Sequence, residues 1–231
     1  MAENWHLVDK IAGIYRGKYI IPGTTPYSTA VPLTKNKLLV YSPGPGLEKS
    51  LPPGCEETKL LLLAPNIGHN LGVGPWLDAY PDAEMFAPEA IQERIRKKRG
   101  IDTIHALADL EAQLPENVRL HILPDNRFHE VWISVDVSEK TYWLIGDAFL
   151  NFDKVEANFF MKFLLGIYGI KPGLRLHKMF RLALKDKQAF KEWALPLFAN
   201  ERQHILLPCH REIYDEADCG QRMVEIIQAL K

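Results

Sequence analysis

The 231-residue sequence is short of cysteine, of net charge and of long apolar runs, and each shortage excludes something. Three cysteines in a chain of this length argue against a disulfide framework of the secreted kind. Twenty-eight Lys and Arg against 29 Asp and Glu leave a net charge of −1, so nucleic acid finds no electrostatic footprint. No apolar run has the length a membrane span needs. The nearest approach, Phe159 to Ile170, is too short and is interrupted by Lys162. Met1 to Lys10 has no apolar stretch behind a basic start. The expectation is a cytoplasmic globular protein with neither membrane nor nucleic-acid partner. There is no repeat at a solenoid period and no linker-like shift in composition, so one domain over residues 1–231 is expected.

What is present is ordinary for a globular chain: 47% hydrophobic and 25% charged residues. Prolines and glycines punctuate short runs of Val, Ile, Leu and Tyr through the first sixty residues, a β-rich pattern. Ala30 to Leu33 and Lys37 to Tyr41 flank a turn at residues 34–36 and predict a hairpin. The continuous run Lys59 to Leu63 suits a strand buried on both faces. A short helix is predicted over Trp76 to Tyr80, with Pro75 at its first position. A strand follows at Met85 to Ala87. Pro88 then opens a helix that runs to Arg99 and stops at Gly100. The basic run Arg94 to Arg99 reads as a solvated helix end, favoured there by the helix dipole.

Val118 to Leu123 alternates as a strand does. Glu130 to Asp136 and Thr141 to Ile145 read as a second hairpin. From Phe152 onward the pattern is mostly helical. One helix is predicted over Val155 to Tyr168, and another carries Phe190, Trp193, Ala194, Leu197 and Phe198 at helical spacing, with Pro196 expected to interrupt it. His204 to Pro208 is a last strand, and Met223, Ile226, Ile227 and Leu230 mark a closing helix.

Four segments at predicted strand ends hold chemically capable residues. They are Ala64 to Gly72 with His69, Asp125 to His129, Gly146-Asp147, and Pro208 to His210. Two histidines and a carboxylate are suitable ligands for a catalytic metal, which needs three protein ligands and an open position. No H-x-H, H-E-x-x-H or C-x-x-C spacing supports a metal on its own, and a histidine beside a glycine is more often a turn or packing residue. Cys209 and His210 are chain neighbours on a strand and so point to opposite faces; Cys209 reads as a small buried residue.

The order of these segments resembles the metallo-β-lactamase fold superfamily, and most closely a branch whose first loop reads Pro-Asn-x-x-His, as Pro65 to His69 does. The resemblance spans most of the chain. Tyr41-Ser42-Pro43 and Tyr80 to Ala83 share in it. It implies an α/β fold, a four-layer αββα sandwich of two mixed β-sheets with helices outside. It also implies a degenerate site. Ala64, Asn66 and Gly68 stand where the superfamily has His, His and Asp, so the first of its two metals keeps at most one ligand here. Ligands of the second remain as His69, Asp147 and His210. The resemblance thus implies at most one divalent metal (zinc, iron or manganese) and hydrolysis of a small ester, thioester or phosphoester. Asp147, His129 and Glu130 are its candidate catalytic residues. Either His129 or Asn126 fills the middle-loop position. The alternative is a metal-free member of the fold that binds a small molecule or a protein. The segment after Gly-Asp is where the superfamily places substrate-covering insertions, so the predicted helix at 155–168 is read as core, lid or dimer face.

Overall fold

The computed structural model describes residues 4–22, 24–34, 36–152 and 173–231. The predicted helix Val155 to Tyr168, with its lid reading, lies outside the described residues. Two mixed sheets make the frame. The first has six strands in chain order: β1 (Trp5–Asp9), β2 (Ile14–Lys18), β3 (Tyr27–Thr34), β4 (Lys37–Tyr41), β5 (Lys59–Leu63) and β6 (Glu84–Phe86). β1 to β4 pair antiparallel, whereas β4, β5 and β6 pair parallel. The second sheet holds β7 (Val118–Ile122), β8 (Val131–Val137), β9 (Lys140–Ile145) and β12 (Gln203–Pro208) in the order β12-β9-β8-β7. β10 (Phe149–Phe152) and β11 (Gly173–Leu176) form a separate antiparallel pair.

The layering follows from alternation. In β5, Leu61 and Leu63 face the core between the sheets, while Leu60 and Leu62 face outward. The outward pair is covered by α1 (Val73–Ala79) and α2 (Glu89–Arg99), through Val73, Trp76, Ile91 and Ile95. Both faces are dry, so the strand reads as an unbroken apolar run. The second sheet repeats the scheme. Val131, Ile133, Tyr142, Leu144, Ile205 and Leu207 point inward, and Trp132, Trp143, Ile145 and Leu206 point outward. Those outward side chains pack under α4 (Lys178–Ala183), α5 (Lys187–Phe198) and α6 (Cys219–Gln228). A short α3 (Leu107–Glu111) connects the two halves. Helix, sheet, sheet, helix is the expected four-layer sandwich.

Differences in detail have local causes. Pro75 sits third in α1 rather than first, still within the turn whose N–H groups have no intrahelical partner. Pro196 does not break α5, which runs to Phe198; in the last turn it removes little of the ladder. β11 is a strand within the stretch that the sequence marks as mostly helical, held extended by its pairing with β10, and α4 follows it as a helix. All three cysteines are free and buried. No described helix is long and apolar enough to cross a membrane.

Candidate metal centre

Strand pairing delivers the site residues to one edge of the sandwich. β9 and β12 run parallel with Ile145 opposite Pro208, so Asp147 and His210, each two residues further on, leave the sheet side by side. The Cys209 N–H donates to the Ile145 carbonyl at 2.8 Å and keeps the two chains in step. β5 ends at the same edge and releases the loop that carries His69. That loop joins the sheets: the Val131 N–H donates to the Pro65 carbonyl at 2.9 Å, and the Ile67 N–H to the Phe128 carbonyl at 3.1 Å. Gly72 closes the loop against the first sheet, where a Cβ would lie 2.6 Å from the Pro43 carbonyl oxygen.

His69, Asp147 and His210 converge, with one ligand atom of each within 4.8 Å of the others. The His69 Nε2 lies 3.4 Å from Asp147 Oδ1, and the His210 Nε2 lies 3.3 Å from the same oxygen. A tetrahedral ion with bonds of 2.0–2.1 Å needs ligand atoms about 3.3 Å apart. The two histidine–carboxylate edges match that spacing, and the third, between the histidines, lies within 4.8 Å. The other imidazole nitrogens are tethered: His69 Nδ1 lies 2.8 Å from Ser42 Oγ and His210 Nδ1 lies 3.5 Å from Thr24 Oγ1. Such outer partners set the ring orientation and leave each Nε2 facing Asp147. Ser42 holds its place with a positive φ of 59°.

Charge is balanced within the cluster. Burial opposes a proton on His69, but the Cys209 sulfur and the Asp147 carboxylate outweigh it and hold the imidazolium well above its usual range. Burial likewise opposes charge on Asp147, and the facing His69 and His210 overcome it, keeping the carboxyl well below the usual range.

Asn66 and Glu130 form the floor. Asn66 is fully buried. Its Nδ2 donates to Asp147 Oδ2 at 2.9 Å and to Glu130 Oε2 at 3.1 Å. Its Oδ1 accepts from the N–H groups of Gly68 and His69 at 2.8 and 3.1 Å. Glu130 accepts five N–H donors: Trp132 Nε1, the backbone of Gly146, Asp147 and Ala148, and Asn66 Nδ2. Burial, with the Asp147 charge behind it, pushes the Glu130 carboxyl up to about 7. Every partner is a donor, so the surroundings are built to hold the anion. Gly146 lies flat on this pair; a Cβ there would meet Asn66 Nδ2 at 2.7 Å.

Of the predicted residues, His69, Asp147 and His210 come together, and Glu130 lies directly beneath them. His129 is not part of the cluster. It takes a positive φ of 52° at the end of the 125–129 turn and lines a separate cleft with Asn126, Ala106 and Ile122. Asn126 shapes the same turn, its Oδ1 accepting the Glu130 N–H at 3.0 Å. Four further residues border the cluster, of which Thr24 and His177 carried no sequence signal, Ser42 only its share in the resemblance, and Cys209 only its place beside His210. Ser42 and Thr24 approach from the first sheet, and Cys209 lies buried beside His69. His177, at the head of α4, is the fourth; burial lowers its pKa, Asp147 and His210 act on it, and its buried Nδ1 has no hydrogen-bond partner among the described residues.

No family model matches the chain, and no curated protein matches it. Solved structures do. The DIM-1 metallo-beta-lactamase is similar with a TM-score of 0.56 at 12% identity, over 98% of this chain and 97% of its own. TMB-1 gives 0.54 at 12% identity, over 97% and 96%. A metallo-beta-lactamase from Pontibacter korlensis gives 0.57 at 10% identity, over 97% and 98%. Similarity along the whole of each chain, on two facing mixed sheets with helices outside, shows the metallo-β-lactamase fold. At these identities it shows the fold alone.

Proposed function

We propose that His69, Asp147 and His210 hold a single divalent metal, with zinc favoured over iron or manganese, and that the centre hydrolyses a small ester, thioester or phosphoester. The observation that carries this reading is the placing of both Nε2 atoms at 3.3–3.4 Å from one Asp147 oxygen, with each Nδ1 turned to a hydroxyl. A metal bound there supplies a Lewis acid for a carbonyl or phosphoryl oxygen. The chain's own residues fix the ligands. Ser42 and Thr24 orient the rings, Asn66 takes Asp147 Oδ2 so that Oδ1 faces the histidines, and Glu130 holds the turn of Asp147. The substrate is a small molecule; membrane and nucleic acid are not partners.

A general base is the weak point of hydrolysis. Gly68 brings no side chain, Glu130 is occupied by donors, and His129 faces another cleft. The same distances therefore favour a second reading. His69, Asp147 and His210 satisfy one another as an imidazolium–carboxylate group without any ion, and the protein then serves as a metal-free binding module.

Elemental analysis of protein purified without chelator, beside a His69→Ala/His210→Ala double variant, separates the two. The metal centre predicts near-stoichiometric metal that the variant loses, and ester and phosphoester screens would follow. No metal in either protein, and none taken up on addition, would sink it and leave the second reading.

A further inference from the structure

Arg16 is a cation in the interior, only 4% exposed. Its Nη2 donates to the Pro208 and Arg211 carbonyls at 2.5 and 2.6 Å, and its guanidinium lies 3.6 Å from the centroid of the Tyr27 ring. Its Nε finds no acceptor among the described residues. None of the described carboxylates makes an ion pair with it; Glu212 acts on it only at a distance. Burial pulls its pKa down to about 10, which still leaves it charged at neutral pH. Buried charges are normally paired, because desolvation without a partner is costly. Arg16 lines a cleft of about 430 Å³ between β1 and β12, the outermost strands of the two sheets on that side. A volume of this size suits a small-molecule site.

The rest of the lining says what kind of anion the cleft suits. Four successive residues of β1, His6 to Asp9, border it. Successive side chains of a strand point to opposite faces, so a surface that touches all four meets the edge of the strand. The edge of an outermost strand offers backbone N–H and C=O groups for pairing. Leu7, Ile205 and Ile213 supply apolar walls. Glu212 and Asp215 are exposed and stand at the mouth, so negative charge lies outside and the buried guanidinium inside. The third carboxylate, Asp9, is taken by the Tyr142 hydroxyl and the Ile11 and Ala12 N–H groups, with Lys140 acting on it. A simple anion would meet the acidic mouth unfavourably, whereas a zwitterion matches both ends. We infer that the cleft binds a short aliphatic peptide, laid along the edge of β1 with its C-terminal carboxylate on Arg16 and its N-terminal ammonium toward Glu212 and Asp215. Four residues of strand span about 13 Å, the reach of a tripeptide. The site needs no ion at His69, Asp147 and His210.

The test is titration of the whole protein with alanyl-leucyl-leucine, its C-terminal amide and its N-acetyl form, read by calorimetry and by backbone amide shifts in nuclear magnetic resonance. The free peptide should bind one per chain with a Kd at or below about 1 mM. The amide should bind at least about tenfold more weakly, because it loses the charge-assisted pair with Arg16. Shifts and slowed amide exchange should fall on His6 to Asp9. Arg16→Met should abolish the preference for acid over amide; should that variant fail to fold, the comparison on the wild type decides alone. Glu212→Gln/Asp215→Asn should weaken the free peptide about threefold and leave the N-acetyl form unchanged. If Arg16 only holds the Pro208 and Arg211 carbonyls, the wild type will not distinguish acid from amide. The inference is overturned by that result, by no binding of the free peptide, by shifts at His69 and His210 in place of β1, or by a double variant that weakens the N-acetyl form as much.

Discussion

Glu130 is the residue on which the turn of Asp147 rests, and its replacement tests that directly. Glu130→Gln substitutes an NH2 for one acceptor oxygen while the five surrounding donors stay where they are. At least two N–H groups then face another donor. A loss of about 2–4 kcal/mol is expected in urea unfolding; a change within 0.5 kcal/mol, about the scatter of a surface substitution, would mean that Glu130 is not the support described. Gly146→Ala should cost roughly 1–3 kcal/mol by overpacking against Asn66 and Glu130. Should the proposed centre exist, zinc must also displace the proton that Asp147 and Cys209 help to keep on His69. Zinc uptake at pH 7 should therefore release close to one proton per chain. Calorimetry in buffers of different ionisation heat reads this number, and zinc uptake with no release would contradict a charged His69.

At the scale of elements, the second sheet and its helices meet through Trp132. Its ring lies 5.2 Å from Trp193, 6.2 Å from Phe190 and 6.2 Å from Phe198, all on α5. Trp132→Ala should cost about 3–5 kcal/mol and loosen α5 from β8, visible as faster amide exchange in α5 than in α2. Such elements were legible in the sequence wherever one face or both faces are dry. β5 announced itself as Lys59 to Leu63, α2 by Pro88 and Gly100, and α5 by the period of its aromatic residues. β11 was not legible, because Gly173 to Leu176 alternates over four residues alone, with Leu174 and Leu176 about Arg175, too short a run to stand out beside the helical patterns around it. The site was legible to the same extent. Residues that leave strand ends could be picked out, since loops at strand ends are where sheets present ligands. Thr24 and His177 could not, because each reaches the cluster from a distant part of the chain with no spacing to betray it, and Ser42 stood out through the resemblance alone. Asn66 read as a missing ligand; only the hydrogen bonds reveal it as a bridge.

For the whole molecule, acid stability depends on histidines that folding forces to stay neutral. His121 accepts burial against Trp143 with its Nε2 2.8 Å from Ser134 Oγ, and burial, then Arg119, pushes its pKa down to about 4. The unfolded chain, with an ordinary value of 6.5, binds more protons between those limits. Stability from this group is thus complete above about pH 6.5 and is lost as pH falls toward 4, by at most about 3 kcal/mol. His121→Gln should flatten the fall in melting temperature across that window; an unchanged slope would assign the acid sensitivity elsewhere.

The distribution of the cluster along the chain has one more consequence. All strands of the first sheet precede residue 87, and all strands of the second follow residue 117. His69 comes from the first group, and Asp147 and His210 from the second. A chain divided in the stretch between α2 and α3 would yield two fragments, each carrying one complete sheet and neither carrying the whole cluster. Under the proposed centre, zinc would act as glue between them, and the protein could be rebuilt as a split reporter whose reassembly depends on the ion.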